Sequence, residues 1–285
     1  MNCNRFILGT VQLGLKYGIN NKSGKPTLNQ SYEILSLAND NEIGYLDTAA
    51  NYGDSQKIIG EFLKAGKGNF KISTKFTEVD KDFETTVRKT IEQLSVSEIE
   101  YYFFHSFDEY LESPEIKSNL LKLKVKGLIK KVGVSVYLND QIDIASNDKD
   151  IDVIQVPFNL LDNETQRADS LRLAKCRGKE IHARSTFLQG IFFMNPSELP
   201  EKLVGLRGSI EEINNLSKKY NLSLIEMAFN YPLSKDYIDK IVFGVETTSQ
   251  LKTNLDASKI TLPSDLVAEI DRIASPTKLL NPTNW

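Results

Sequence analysis

Short apolar stretches rich in β-branched and aromatic residues alternate with longer amphipathic stretches along the whole chain. The alternation predicts βα units that share one parallel sheet. The predicted strands are Phe6–Gly9, Gly44–Thr48, Phe70–Lys75, Glu100–His105, Lys131–Ser135, Val153–Val156, Glu180–Ser185 and Lys240–Gly244. The predicted helices are Asn29–Asn41, Ser55–Lys64, Phe83–Leu94, Ser113–Lys126, Asp140–Ala145, Thr165–Cys176, Gly208–Lys219, Ser223–Tyr231 and Ser249–Ala257.

The number of these units predicts an α/β fold of the (β/α)8 TIM barrel type, for which about 250 residues are typical. The chain has 285 residues, and the excess falls in the segment Phe192–Leu206 and in a tail, Pro263–Trp285. No linker-like segment divides the chain, so residues 1–285 are predicted to form a single barrel domain. A doubly wound open sheet is the alternative, but the chain lacks the Gly-rich turn that such a fold places after its first strand.

The composition is that of an ordinary folded protein, with 40% hydrophobic and 26% charged residues, which excludes disorder as the main state. The formal net charge is −3 and no basic cluster stands out, so nucleic acid is not expected as a partner. The N-terminal apolar run is too short for a signal peptide or a membrane span, which favours a cytoplasmic protein without membrane contact. Cys3 and Cys176 form no recognisable motif, so neither a disulfide nor a metal site is expected.

Polar residues with catalytic potential stand where consecutive predicted strands end. The second strand ends near Asp47 and leads to Tyr52, the third ends at Lys75, and the fourth ends at His105. In barrels of this type the active site lies at these strand ends and in the loops that follow them, so the side chains are expected to meet. Taken alone, each residue also fits a structural role, such as a helix cap for Asp47 or a core imidazole for His105.

Taken together, these residues resemble the aldo-keto reductase family. Residues 46–60 are similar to the family signature that contains its aspartate and tyrosine. Further similar segments follow in the order of the family: Ser73–Lys75, His105, Gly133–Ser135, Gln155, Phe158–Leu160, Arg184–Gly190 and Gly244–Asn254. The resemblance covers nearly the whole chain, and it implies an enzyme that reduces an aldehyde or ketone with a nicotinamide cofactor.

The resemblance also implies a role for each residue. Tyr52 would donate a proton to the carbonyl oxygen, Lys75 would lower the pKa of the Tyr52 phenol, and Asp47 would hold Lys75. His105 would orient the carbonyl through a hydrogen bond. The implied cofactor contacts are Ser135 and Gln155 at the carboxamide, the loop Ser185–Gly190 with Phe187 and Gln189 at the pyrophosphate, and Thr10, Asp47, Arg184, Gly244, Glu246, Thr247, Gln250 and Asn254.

Four positions depart from the family pattern. Val136 stands where an asparagine is usual, and Arg184 stands where an aromatic residue often stacks on the nicotinamide. Gln250 replaces a basic residue that grips the 2′-phosphate of NADP(H), and Thr253 replaces a common acidic residue. NADP(H) remains the favoured cofactor, with NAD(H) open. His182 is predicted to be a core residue that alternation places on the same side as Arg184, under the following helix.

The leading hypothesis is a monomeric carbonyl reductase whose partner is a small polar aldehyde or ketone. The polar segment 14–24 after the first strand is similar to that of bacterial family members of sugar pathways, so a sugar-derived carbonyl is one option. One alternative is a cofactor-binding regulatory or sensor protein on the same fold. Another is a barrel lyase or isomerase in which Lys75 forms a Schiff base with the substrate.

Overall fold

The computed structural model describes residues 3–76 and 82–285, and these contain a closed barrel of eight parallel strands. The strands are β1 (Phe6–Gly9), β2 (Tyr45–Asp47), β3 (Lys71–Phe76), β4 (Ile99–Phe104), β5 (Ile129–Ser135), β6 (Val153–Pro157), β7 (Glu180–Arg184) and β8 (Lys240–Gly244). Each strand pairs with its neighbours in chain order, and β8 closes the barrel against β1. The (β/α)8 prediction is therefore confirmed, and the open doubly wound sheet is wrong.

Helices connect the strands on the outside of the barrel. They are α1 (Val11–Gly14), α2 (Leu28–Asp40), α3 (Ser55–Lys64), α4 (Phe83–Leu94), α5 (Phe107–Glu112), α6 (Pro114–Val125), α7 (Asn139–Asn147), α8 (Glu164–Cys176), α9 (Arg207–Tyr220), α10 (Leu224–Leu233), α11 (Thr248–Ala257) and α12 (Ser264–Ile270). The sequence pattern missed α1, α5 and α12, because helices of 4, 6 and 7 residues are too short to show a helical period.

The two segments that exceed the length of a typical barrel, 192–206 and 263–285, contain short helices. Between β7 and α9 the chain forms 3-10 helices at Leu188–Phe193, Pro196–Glu198 and Glu201–Leu206. The predicted tail contains α12 and further 3-10 helices at Thr277–Leu279 and Pro282–Asn284. Both segments therefore add cover to the barrel without adding strands to it.

The strand register brings polar strand ends to one mouth of the barrel. Asp47 pairs with Gly9 in β1 and with Ser73 in β3, while Ser135 pairs with Gln155. Thr10 directly follows β1, and its backbone N–H and its hydroxyl both donate to the Asp47 carbonyl oxygen at 2.9 Å. Since parallel strands all end at the same mouth, these residues surround one space.

The interior of the barrel contains a small cluster of rings. Tyr101 and Phe103 of β4 contact His182 of β7, with ring centroids 4.8 and 6.1 Å apart. Because β4 and β7 are not neighbours in the barrel, this contact crosses its interior. His182 is fully buried, and its Nε2 lies 2.9 Å from Glu180 Oε1. The core role of His182 is confirmed, but its placement under the following helix is wrong, because the ring points into the barrel.

No helix in the described ranges is long and apolar enough to cross a membrane. Within residues 3–76 and 82–285, no three His, Cys, Asp or Glu side chains are grouped so as to hold a metal ion. The assignment of residues 1–285 to one domain and the monomeric state stay predictions.

Candidate active site

A buried ion pair lies at the barrel mouth. Lys75 Nζ is 2.6 Å from Asp47 Oδ2, and the two side chains are 2% and 5% exposed. Lys75 Nζ also donates to the carbonyl oxygen of Thr48 at 3.2 Å. Asp47 Oδ1 accepts from Ser73 Oγ at 2.9 Å and from Gln155 Nε2 at 3.0 Å. Both carboxylate oxygens therefore have partners, which offsets the cost of burying the charges and fixes the ammonium group in place.

Tyr52 and His105 stand beside this pair. Their ring centroids are 6.1 Å apart with the planes at 77°, and Lys75 Nζ lies 5.4 Å from the centroid of the Tyr52 ring. One cavity of about 610 Å³ is lined by Asp47, Tyr52, Lys75 and His105. This size is common for small-molecule sites. The structure thus brings together the residues that the strand-end pattern singled out.

The loop that carries Tyr52 depends on two glycines. Gly14 packs so closely that a Cβ there would lie 1.7 Å from the carbonyl oxygen of Tyr52. Gly53 has a φ of +53°, a conformation that glycine adopts readily, and a Cβ there would lie 2.5 Å from the Gly14 carbonyl oxygen. Sequence reasoning missed the role of Gly14 because its contact partner is distant in the sequence and no local pattern marks it.

Burial governs the ionisation of Tyr52 and Lys75. The pKa of Tyr52 is raised because burial disfavours the phenolate and the charge of Asp47 adds to this effect, while Arg184 opposes it. The net pKa of Tyr52 is thus above its ordinary value because of burial, and the expected influence of Lys75 on the phenolate stays a prediction. Burial also lowers the pKa of Lys75, an effect that Asp47 opposes. Tyr52 therefore keeps its proton at neutral pH.

His105 is expected to stay neutral at physiological pH. Its pKa is lowered to about 4, because burial disfavours the imidazolium and the charges of Lys75 and Arg184 add to this effect. An NMR titration should show a midpoint near 4 for His105 instead of the ordinary 6.5, with the signal assigned by its loss in a His105→Gln variant. A midpoint near 6.5 would contradict the burial of the ring.

The lowered pKa of His105 predicts that the free energy of unfolding depends on pH. The folded state binds fewer protons at His105 than the unfolded state between pH 4 and 6.5. The contribution of His105 to stability is therefore present above pH 6.5 and is lost as the pH falls toward 4. Denaturant unfolding between pH 4 and 6.5 should show a steeper loss of stability in the wild type than in His105→Gln. His182 is present in both proteins, so the difference between them reports on His105.

The cavity gathers most of the residues expected to contact a cofactor. Its lining includes Thr10, Ser135, Gln155, Arg184, Ser185, Phe187, Gln189, Gly190, Gly244, Glu246, Gln250 and Asn254. Thr247 does not line the cavity. Its hydroxyl accepts from the backbone N–H of Gln250 at 3.2 Å and caps α11, and the expected cofactor contact of Thr247 stays a prediction.

Comparison with known proteins assigns this barrel to a family. The model of the Aldo/keto reductase family matches residues 5–275. This chain belongs to the aldo/keto reductase family. The resemblance inferred from the sequence is confirmed, and with it the assignment to the oxidoreductases.

This aldo/keto reductase is similar to several known proteins at low identity. It is 24% identical to the D-threo-aldose 1-dehydrogenase of Pseudomonas sp, with 85% of the chain and 87% of that protein covered. It is also 24% identical to the L-galactose dehydrogenase of Arabidopsis thaliana, with 84% and 82% covered. Among solved structures, the holo form of the aldo-keto reductase AKR11C1 from Bacillus halodurans matches with a TM-score of 0.78 at 20% identity, over 95% of this chain and 92% of that one.

The loop after β7 of this aldo/keto reductase has an unusual backbone. The angle φ is positive, between +44° and +85°, at Ser185, Leu188, Gln189 and Gly190. Such angles are costly for residues other than glycine and concentrate at ligand-binding segments. Asn159 Nδ2 donates to the Ser185 carbonyl oxygen at 3.1 Å, and the Asn20 N–H donates to the Gln189 carbonyl oxygen at 3.3 Å. The mouth segment 14–24 thus helps to hold this loop in place.

Gln12 and Tyr137 are among the lining residues that sequence reasoning missed. Gln12 Oε1 is buried in the cavity wall without a hydrogen-bond partner, and a Cβ at Gly244 would lie 2.4 Å from it. Tyr137 lines the cavity, and its ring faces the guanidinium of Arg184, with 4.1 Å between Cζ and the ring centroid. Both residues closely follow a strand, so a search of all strand ends would have found them.

Proposed function

We propose that this aldo/keto reductase reduces a sugar-derived aldehyde or ketone to an alcohol with NAD(P)H, and that Tyr52 donates the proton. The buried Lys75–Asp47 pair beside Tyr52 and His105 in one cavity carries this proposal. The names of the relatives D-threo-aldose 1-dehydrogenase and L-galactose dehydrogenase support a sugar-derived substrate, because both names describe hydride transfer at a carbon of a sugar.

The residues of the cavity fit a dinucleotide. Gln12 Oε1 is a buried acceptor that lacks a donor, and the positive φ of Gly190 curls the chain at the cavity wall. Ser135 and Gln155 would hold the carboxamide, and the loop Ser185–Gly190 would hold the pyrophosphate. A bound nicotinamide cofactor supplies the hydride.

The side chains of the chain supply the proton and the orientation of the substrate. The neutral hydroxyl of Tyr52 has a proton to give to the alkoxide oxygen that forms from the carbonyl. His105 is neutral because its pKa is about 4, and its ring N–H can donate to the same oxygen and orient the carbonyl. Lys75, held by Asp47 at 2.6 Å, stabilises the phenolate that remains after proton transfer.

Turnover tests this proposal. The purified chain is mixed with NADH or NADPH and a panel of aldoses and simple aldehydes, and oxidation of the nicotinamide is followed by absorbance. We expect turnover of at least one carbonyl compound. Cofactor binding without turnover of any would favour the sensor alternative. The Schiff-base alternative is disfavoured because the Lys75 side chain is 2% exposed and its amine donates hydrogen bonds to Asp47 and to the Thr48 carbonyl oxygen.

A carboxylate lies in the segment that the resemblance assigns to the adenosine phosphate. Glu246 Oε2 accepts from Gln250 Nε2 at 2.7 Å, and Gln250 Oε1 accepts from the Glu246 N–H at 2.7 Å. The basic residues among the described lining are Lys75 and Arg184, and neither belongs to this segment. A 2′-phosphate would therefore meet a negative charge without a basic partner. This arrangement favours NADH over NADPH, the reverse of the preference inferred from the sequence.

Fluorescence titration with the two cofactors should show tighter binding of NADH by the wild type. Gln250→Arg should shift the ratio of affinities toward NADPH by about tenfold or more, because it adds a charged donor and releases Glu246. Lys252→Met is the matched control, since Lys252 is exposed on the same helix but does not line the cavity, and it should leave the ratio as it is. Tighter binding of NADPH by the wild type would contradict this assignment.

A further inference from the structure

The charged side chains that line the cavity are not balanced. Asp47 and Lys75 compensate each other at 2.6 Å, and Glu246 is bonded to Gln250 at 2.7 Å. Arg184 has no carboxylate within 4.0 Å among residues 3–76 and 82–285. No carboxylate of the described residues therefore contacts Arg184 directly, and Asp162, on which the Arg184 charge acts, is already bonded to Arg167.

The Arg184 guanidinium is held in a fixed position. Its Cζ lies 4.1 Å from the centroid of the Tyr137 ring, and Nη2 donates to the Val136 carbonyl oxygen at 3.1 Å. Nη1 lies 3.4 Å from Ser185 Oγ, and the Arg184 carbonyl oxygen accepts from the Phe158 N–H at 3.1 Å. These contacts leave Nε buried and without a hydrogen-bond partner. Nη1 and Nη2 each carry two N–H groups and use one of them in these contacts, so donors on both terminal nitrogens remain for a ligand.

The guanidinium is electrostatically close to the reactive groups. Its charge lowers the pKa of His105 and of Lys75, and it opposes the rise in the pKa of Tyr52. Packing against Tyr137 would be served by an uncharged side chain, without the cost of removing a cation from water. The planar fork of an arginine matches the geometry of a carboxylate, which it can bind through two parallel hydrogen bonds.

We propose that Arg184 binds a carboxylate of the substrate, so that this enzyme reduces an oxo acid, a carbonyl compound that also carries an acid group. The inference rests on the proposed function, because it concerns the substrate of the same site. The carbonyl oxygen would lie at Tyr52 and His105, and the acid group would lie at Arg184. The two ends of the substrate would then be fixed by separate side chains, which orients the carbonyl.

The pyrophosphate of the cofactor is the other source of an anion near this position, since Arg184 directly precedes the loop Ser185–Gly190. The two sources predict different results. If Arg184 binds a substrate carboxylate, its removal lowers turnover more for acidic substrates than for neutral ones, in addition to any effect that its charge has on Tyr52, Lys75 and His105 with every substrate. If Arg184 binds a phosphate of the cofactor, its removal weakens the binding of NADH and lowers turnover equally for acidic and neutral substrates.

A matched pair of probes tests the proposal: 4-carboxybenzaldehyde and its methyl ester, which share the ring and the aldehyde and differ in charge. For the wild type we expect kcat/KM to be about 10- to 100-fold higher for the acid, mainly through a lower KM. Arg184→Met should bring the acid-to-ester ratio near one, and Arg184→Lys should restore part of it. Calorimetric binding of the product, 4-carboxybenzyl alcohol, gives a readout without turnover and should weaken in Arg184→Met.

Lys16→Met is the control for general electrostatic attraction, because Lys16 is exposed in the mouth segment and does not line the cavity; it should keep the ratio of the wild type. A wild-type ratio near one, or an equal loss for acid and ester in Arg184→Met, overturns the proposal. A loss of NADH affinity in Arg184→Met with an unchanged ratio assigns the guanidinium to the cofactor and also overturns it. If the wild type binds the acid product but turns over neither aldehyde, the result counts against the proposed function alone. If it shows neither product binding nor turnover, the result counts against both the proposed function and the carboxylate site at Arg184.

Discussion

Tyr52→Phe is expected to lower the rate of carbonyl reduction by about 10²- to 10⁴-fold, the contribution typical of a positioned general acid. The substitution removes one hydroxyl and keeps the ring that lies 6.1 Å from His105 and 5.4 Å from Lys75 Nζ. Because the pKa of Tyr52 is raised, the wild-type residue is a neutral phenol at working pH. The charge of the site therefore does not change, and the loss reports the missing proton.

Two measurements separate this loss from a structural effect. Fluorescence titration should show that Tyr52→Phe binds NADH as the wild type does, since the hydroxyl acts on the carbonyl. Tyr17→Phe is the matched control: Tyr17 also lines the cavity but is 39% exposed, so removal of its hydroxyl should cost far less activity. Unchanged turnover in Tyr52→Phe would refute the assignment of Tyr52 as the proton donor.

The barrel could be predicted because its signal is local. Each βα unit shows its own change of hydrophobic period, and the polar strand ends that include Asp47, Lys75 and His105 follow from the rule that parallel strands end at one mouth. Helix α5, Phe107–Glu112, escaped the pattern because 6 residues do not complete two turns.

Features that depend on contacts between distant segments could not be predicted. The close approach of Gly14 to the Tyr52 carbonyl oxygen joins α1 to the loop after β2, and no periodicity encodes it. Stacking of Arg184 on Tyr137 joins the end of β7 to the residues after β5. The raised pKa of Tyr52 could not be predicted either, because a sequence indicates that Lys75 is near but does not show how deeply the phenol is buried, and burial is the largest cause of the rise.

The buried Asp47–Lys75 pair is expected to have the largest effect on stability. Lys75→Met should lower the free energy of unfolding by about 3–5 kcal/mol, because it leaves the Asp47 carboxylate buried without a counter-charge. The hydrogen bonds from Ser73 and Gln155 to Asp47 Oδ1 remain, but they do not neutralise the charge. Denaturant unfolding of the wild type, Lys75→Met and Asp47→Asn measures the cost of each single change.

The double variant Asp47→Asn/Lys75→Met then tests whether the two charges stabilise each other. It should be less destabilised than the sum of the single variants by about 0.5–3 kcal/mol, because neither charge is left uncompensated. Activity should not recover with stability, since Tyr52 loses the ammonium group that lies 5.4 Å from its ring centroid and stabilises the phenolate. Recovery of stability without activity would separate the structural contribution of the pair from its contribution to proton transfer. A loss of stability equal to the sum of the single losses would show that the charges act independently, which is incompatible with a coupled pair at 2.6 Å.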